Sequence, residues 1–87
     1  MANRCRHDII ASVLKAAIEG PSKLSHLALK SNLPYDRARP IVEDLVKHGL
    51  LSYNPVSRLY TPTELAYQWL AIYRELRNIY DKNEFLG

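Results

Sequence analysis

The chain of 87 residues has one cysteine, Cys5, so no disulfide can form within it. Its three histidines, His7, His26 and His48, are scattered, and no Cys/His cluster has the spacing of metal ligands. The three glycines form no glycine-rich phosphate loop. Paired carboxylates in an apolar setting are missing, as is a nucleophile with a neighbouring base, which argues against an enzyme; Cys5 reads as a bystander near a frayed end. No apolar run approaches the roughly 18 residues of a membrane span, and the start, MANRCRHDII, lacks the apolar core of a signal peptide. These absences predict a soluble, cytoplasmic protein with no catalytic residues, no metal and no cofactor.

What is present is helical patterning around one stretch, Ser25 to Gly49. Its longer helix places Ala38, Ile41, Val42 and Leu45 on one stripe at i, i+3, i+4, i+7, with Gly49 closing it. Asp36, Arg37, Glu43 and Lys47 take the opposite face. The shorter helix offers Leu24, Leu27 and Ala28, and Asn32, Leu33 and Pro34 turn the chain between the two, the outline of a helix-turn-helix. Pro40 is the odd residue, because a proline in a helix interior costs roughly 3 kcal/mol. The expectation is a helix that begins late, near Asp36, or a distorted first turn, and either outcome changes how Tyr35, Arg37 and Arg39 are presented.

Two helices this short need a scaffold. A first helix is predicted from about Arg4 to Glu19, with Ile10, Val13, Leu14 and Ala17 on one face and Ile9 and Ile18 widening it; Gly20 and Pro21 end it. Ser22 or Ser25 can cap the second helix. After Gly49 the pattern changes to LLSYNPVSRLY, β-favouring residues about an Asn54-Pro55-Val56-Ser57 turn, which predicts a short hairpin. Beside a helix-turn-helix such a hairpin is a wing, with Arg58 pointing outward at its base and Leu51, Tyr53 and Leu59 toward the core.

Thr61-Pro62-Thr63-Glu64 reads as a capping box with proline at the first helical position, opening a last helix that continues to about Phe85. Leu65, Trp69, Ile72, Leu76 and Ile79 repeat at spacings of 4, 3, 4 and 3, with Ala66, Leu70, Tyr73 and Tyr80 alongside. A rod of about 36 Å outruns a small domain, so its far half, including Ile79, Tyr80, Phe85 and Leu86, calls for a partner. The expected architecture is mainly α with a small β-hairpin: residues 1–61 form a winged helix-turn-helix, and residues 62–87 a dimerisation helix of the same compact unit.

Charge is uneven. The net value is +3, but residues 1–60 hold nine Lys/Arg against five Asp/Glu, whereas residues 61–87 hold three against four. The basic excess therefore lies on the helix-turn-helix half, a modest field.

The segments DIIASVLKAAIEG, LSHLALKSNLPYDRARPIVEDLVKHGLL and LYTPTELAYQWLAIYREL resemble the archaeal winged-helix family of roughly ten-kilodalton DNA-binding proteins and predicted transcriptional regulators. The resemblance runs from Arg6 to about Leu76. It is most specific from Lys30 through Leu33 and Tyr35 to Leu45 and Gly49-Leu50-Leu51, and again at Thr63-Glu64. Ala38 stands where the family usually has a larger apolar residue, and Pro40 where it usually has lysine or another polar residue.

The resemblance implies a winged-helix fold and a homodimer formed through the last helix, usually as an antiparallel coiled coil, with Trp69, Ile72, Tyr73, Leu76, Ile79 and Tyr80 at the interface. It also implies double-stranded DNA as partner and a nucleoid-associated role. Arg37 and Arg39 are then expected to meet phosphate or guanine, Ser25, His26, Lys30 and Tyr35 to meet phosphates around the turn, and Lys47 and Arg58 to complete the surface. The competing expectation, motivated by Glu43, Asp44 and the small net charge, is a protein-interaction module that keeps the fold and does not bind DNA.

Overall fold

A computed structural model describes residues 6–83, with side chains as far as Ile79. Arg4, Cys5, Phe85, Leu86 and the side chain of Tyr80 lie outside the described residues. The elements in order are α1 (Arg6–Ile18), α2 (Leu24–Lys30), α3 (Tyr35–Lys47), β1 (Leu51–Asn54), β2 (Leu59–Pro62) and α4 (Glu64–Asn83).

The core forms where the apolar stripes meet. Val13, Leu14 and Ala17 of α1, Leu27 of α2, Val42 and Leu45 of α3, Leu50, Leu51, Ala66 and Leu70 are all buried in one cluster. Fully burying one Leu or Val side chain contributes about 1.5–3 kcal/mol, so this cluster is what holds the short helices together. Ile10, Ile41 and Tyr60 close its edges, half-buried. Ile18, expected to widen the face of α1, is instead exposed at its last turn.

Both helices of the central pair end in the same backbone device. At the end of α2, Asn32 has φ 60°, its amide donates to the Leu29 carbonyl, and the Leu33 amide reaches back to Ala28 at 2.9 Å. At the end of α3, Gly49 has φ 80°, its amide donates to Val46, and the Leu50 amide donates to Leu45 at 2.8 Å. These are Schellman closures, which satisfy the last carbonyls and need a residue that tolerates the left-handed region, as Gly and Asn do. They turn the chain sharply after α2 and again into β1.

Expectations at the ends of α2 and α4 are corrected. Neither Ser22 nor Ser25 caps α2: Lys23 holds the N-cap position with no side-chain cap. Ser22 is instead buried in a single antiparallel bridge to β2, its amide donating to the Tyr60 carbonyl at 3.1 Å and its carbonyl accepting from the Tyr60 amide at 2.7 Å. Pro62 does not open α4 but ends β2 opposite Leu51, a strand terminus where its missing N–H is tolerated. Thr61, the expected N-cap, is paired within β2, so no capping box forms, and Thr63, which precedes α4, sends its hydroxyl to the Gly49 carbonyl at 2.6 Å.

Tyr53 is 40% exposed rather than turned to the core, because the hairpin runs past the domain edge after Leu51. α3 starts at Tyr35 and continues through Pro40. Its first turn is regular, with the amides of Arg37 and Ala38 both donating to the Pro34 carbonyl at 3.0 and 2.9 Å. Proline removes only the bond to the Asp36 carbonyl, and both residues are exposed, so water can serve that carbonyl in place of the lost donor.

Candidate nucleic-acid interface

The hairpin stands beside α3 because its inner strand is tied to Ser22, two residues before α2. That bridge at Ser22 and Tyr60, together with the antiparallel register Tyr53↔Tyr60, leaves a cleft of about 590 Å³ between α3 and the hairpin. Ser25, Tyr35, Arg39 and Arg58, all expected at the site, line it together. So do Lys23, Tyr53 and Tyr60, which the sequence reading had not assigned to the site, and Glu43.

Each side chain arrives by a local reason. Tyr35, Arg39, Glu43 and Val46 follow one another at helical spacing along one flank of α3. Arg58 comes from the hairpin turn and not from its base: Asn54 accepts the amides of Val56 and Ser57 on its side-chain oxygen at 2.9 and 3.2 Å, and Arg58, with φ 62°, brings the chain back into β2. Tyr53 and Tyr60 sit directly opposite across the ladder, ring centroids 4.6 Å apart and tilted by 39°.

Arg39 pairs with Glu43 at 3.2 Å, both side chains more than half exposed, an interaction worth at most about 1 kcal/mol. Burial pushes the Tyr60 phenol above its ordinary value, and the charges of Tyr53, Glu43 and Tyr35 push the same way against Arg39. Among the described residues the cleft therefore sets three cations against one carboxylate, with the Tyr60 phenol holding its proton.

The other expected residues lie elsewhere. Arg37 is on the opposite flank of α3, in a groove shared with Arg6, Asp36, Pro40 and Asp44, where Arg6 binds Asp44 at 3.3 Å. Lys30 is held by an ion pair with Glu19. His26 is exposed on α2, and Lys47 is exposed in the last turn of α3.

The expected interface helix divides into two sets. Trp69 and Tyr73 are half-buried on their own domain, stacked on each other at 5.3 Å, with Trp69 tilted against His7 at 6.1 Å. The Tyr73 hydroxyl donates to Asp8 of α1, and Arg77 donates to that hydroxyl at 3.2 Å. Burial first, and then the bond to Asp8, raise the Tyr73 phenol above its ordinary value. Ile72, Leu76 and Ile79 are turned away and 58–62% exposed.

A helix-turn-helix flanked by a two-stranded hairpin and carrying a cationic cleft between them defines a winged-helix protein. The chain belongs to the winged helix-turn-helix family, whose model matches residues 3–81. Its fold is similar to that of Sso10a-2, a DNA-binding protein from Sulfolobus solfataricus, with a TM-score of 0.79 and 20% identity over 95% of this chain and 93% of that one. Both findings agree with the archaeal winged-helix family that the sequence resembles. No curated protein matches the sequence. Among the described residues no helix is long and apolar enough to cross a membrane, and no His/Cys/Asp/Glu group could hold a metal ion.

Proposed function

We propose that the chain binds double-stranded DNA as a homodimer and serves as a transcriptional regulator, associated with the nucleoid in the cytoplasm. α3 enters the major groove and the wing lies on the flanking backbone or minor groove. The observation that carries this reading is the convergence of Lys23, Arg39 and Arg58 on one cleft with Glu43 as its only carboxylate. The similarity in fold to a DNA-binding protein supports it. Arg39 and Arg58 take phosphates of one strand, Tyr35 and Ser25 add hydrogen bonds beside them, and Arg37 reaches phosphate or guanine from the other flank. His26 and Lys30 on α2, and Lys47 at the end of α3, meet the backbone further out.

The test is a titration of duplex DNA at several salt concentrations. If about six phosphates are neutralised per dimer, log K falls against log[salt] with a slope near −5, at about 0.9 per contact. A second reading, a protein-interaction module, is favoured by the outermost ridge of α3, where exposed Asp36 and Glu43 flank Pro40. No detectable duplex binding at about 50 mM salt would decide for that module.

Dimerisation is proposed through the outward stripe of α4. Ile72 and Leu76, with Ile79 one turn on, keep a coiled-coil spacing while Trp69 and Tyr73 are used within the domain. Leu76→Asp combined with Ile79→Asp is expected to give monomers in sedimentation equilibrium with the thermal melt of the wing and α1 to α3 retained. An unmodified protein that sediments as a monomer at tens of micromolar would remove the dimer from the proposal.

A further inference from the structure

The ring faces of the three tyrosines in the cleft have no task on a duplex, even where a hydroxyl such as that of Tyr35 does. Inside a double helix each base is stacked on its neighbours, so an aromatic ring beside the backbone can offer only its hydroxyl. Yet Tyr35 and Tyr53 are 49% and 40% exposed, and Tyr53 leans on Tyr60 with centroids 4.6 Å apart. Tyr53 thus lies against a half-buried ring that the Ser22 bridge holds by two backbone hydrogen bonds, 3.1 and 2.7 Å. That makes it a supported platform and not a loose surface side chain.

Around this platform lie Lys23, Arg39 and Arg58. Arg58 is at φ 62°, a conformation that glycine adopts without strain, and here it carries a guanidinium to the rim. The Arg39–Glu43 pair is exposed enough for a phosphate to replace the carboxylate. Aromatic faces interleaved with cations along one groove are what an unpaired strand needs, because stacking holds the base and the cations hold the backbone. The volume of about 590 Å³ is within the roughly 300–1,000 Å³ of ligand-sized clefts.

We infer that the cleft between α3 and the wing also binds single-stranded DNA, one unpaired base stacking on Tyr53 or Tyr35 while Lys23, Arg39 and Arg58 take the adjacent phosphates. This rests on the same cleft as the duplex reading, but on its aromatic faces rather than on its charge alone.

The test compares, on the unmodified protein, a labelled twelve-nucleotide oligothymidylate with an abasic strand of equal phosphate number, by fluorescence anisotropy. Stacking of one base makes the oligothymidylate bind about tenfold or more tightly. Equal affinities would leave only phosphate attraction and overturn the inference. Tyr53→Phe retains the advantage over the abasic strand, because the ring remains, and Tyr53→Ala reduces it. If Phe and Ala lose it alike, the contact is a hydroxyl bond and stacking is wrong. Should Tyr53→Ala melt early, the abasic comparison still decides.

A duplex titrated in parallel separates the two claims. Duplex binding without a base-dependent single-strand advantage sinks this inference alone. A base-dependent advantage without duplex binding sinks the duplex reading alone, and no binding to either sinks both.

Discussion

The two flanks of α3 carry the same residue type two positions apart and give it different surroundings. On one side Arg39 shares a cleft with Lys23, Arg58 and a single carboxylate, Glu43. On the other Arg37 shares a groove with Arg6, Asp36 and Asp44, two cations against two carboxylates, and Asp44 also lies 3.4 Å from His48. Composition does not distinguish these arginines. What differs is the element across from each: a wing that supplies a cation and aromatic rings, or a helix, α1, whose arginine is already paired. A modest basic charge is thereby concentrated on one side of the helix, and that concentration, not the net value of +3, sets the attraction for a polyanion.

The strongest way to break the comparison is to reverse charge on each flank in turn. Arg39→Glu with Arg58→Glu is expected to lower duplex affinity by about a hundredfold at roughly 0.1 M salt. Arg6→Glu with Arg37→Glu is expected to lower it several times less. Equal losses in anisotropy titrations would mean that both flanks face DNA alike and that the cleft has no privileged part.

A smaller effect isolates one residue of the cationic flank. Arg58→Gly removes the guanidinium and relieves a left-handed conformation worth about 1 kcal/mol or slightly more. The variant is therefore expected to melt at the same temperature or a few degrees higher while binding duplex DNA about five- to tenfold more weakly. A lower melting temperature would show that the arginine supports the wing and not a ligand.

The smallest effect is read with pH. The phenols of Tyr60 and Tyr73 are raised in the folded chain, so folding holds their protons more tightly than the unfolded chain does. Stability from this source is complete below the unfolded value near pH 10 and is lost as pH rises through the higher folded values. Melting temperature is expected to be level from about pH 7 to pH 9 and to fall above about pH 10. The loss should shrink in Tyr73→Phe, which removes one of the two phenols, and a melt that instead rises above pH 10 would contradict the shielding of both.

Local patterns were legible where neighbours in sequence decide the outcome. The stripe of α3 is buried as read at Ala38, Val42 and Leu45, Gly49 does close the helix, and the hairpin turns where Asn54 and Pro55 stand. The misreadings have distant causes. Ser22 is drawn from capping to a bridge with Tyr60, and Pro62 is drawn from a helix start to a strand by pairing with Leu51. Pro40 looked disruptive because its fixed penalty was visible, whereas the exposure that softens it was not.

The candidate site was half legible for a related reason. Ser25, Tyr35, Arg39 and Arg58 were expected and do converge, but nothing local separates Arg39 from Arg37. Tyr53 and Tyr60 were open to detection, since residues equally far from a four-residue hairpin loop must face each other across the strands. Lys23 had no such signal, because its place on the cleft follows from the bridge one residue before it.

Thr63 joins the exit of α3 to the start of α4. Its amide and hydroxyl reach Leu50 and Gly49 at the exit of α3, at 3.1 and 2.6 Å, while its carbonyl receives the Ala66 amide inside the first turn of α4 at 3.0 Å. The end of one helix and the origin of the next are thus fastened to a single residue. α4 extends 20 residues, or about 30 Å, from there, and its first half is fixed to the core by Ala66 and Leu70 and to α1 by the Tyr73 bond to Asp8. The exposed stripe of Ile72, Leu76 and Ile79 is therefore held at a fixed bearing to α3, by Thr63 at its root and by the Tyr73 bond to Asp8 at its middle.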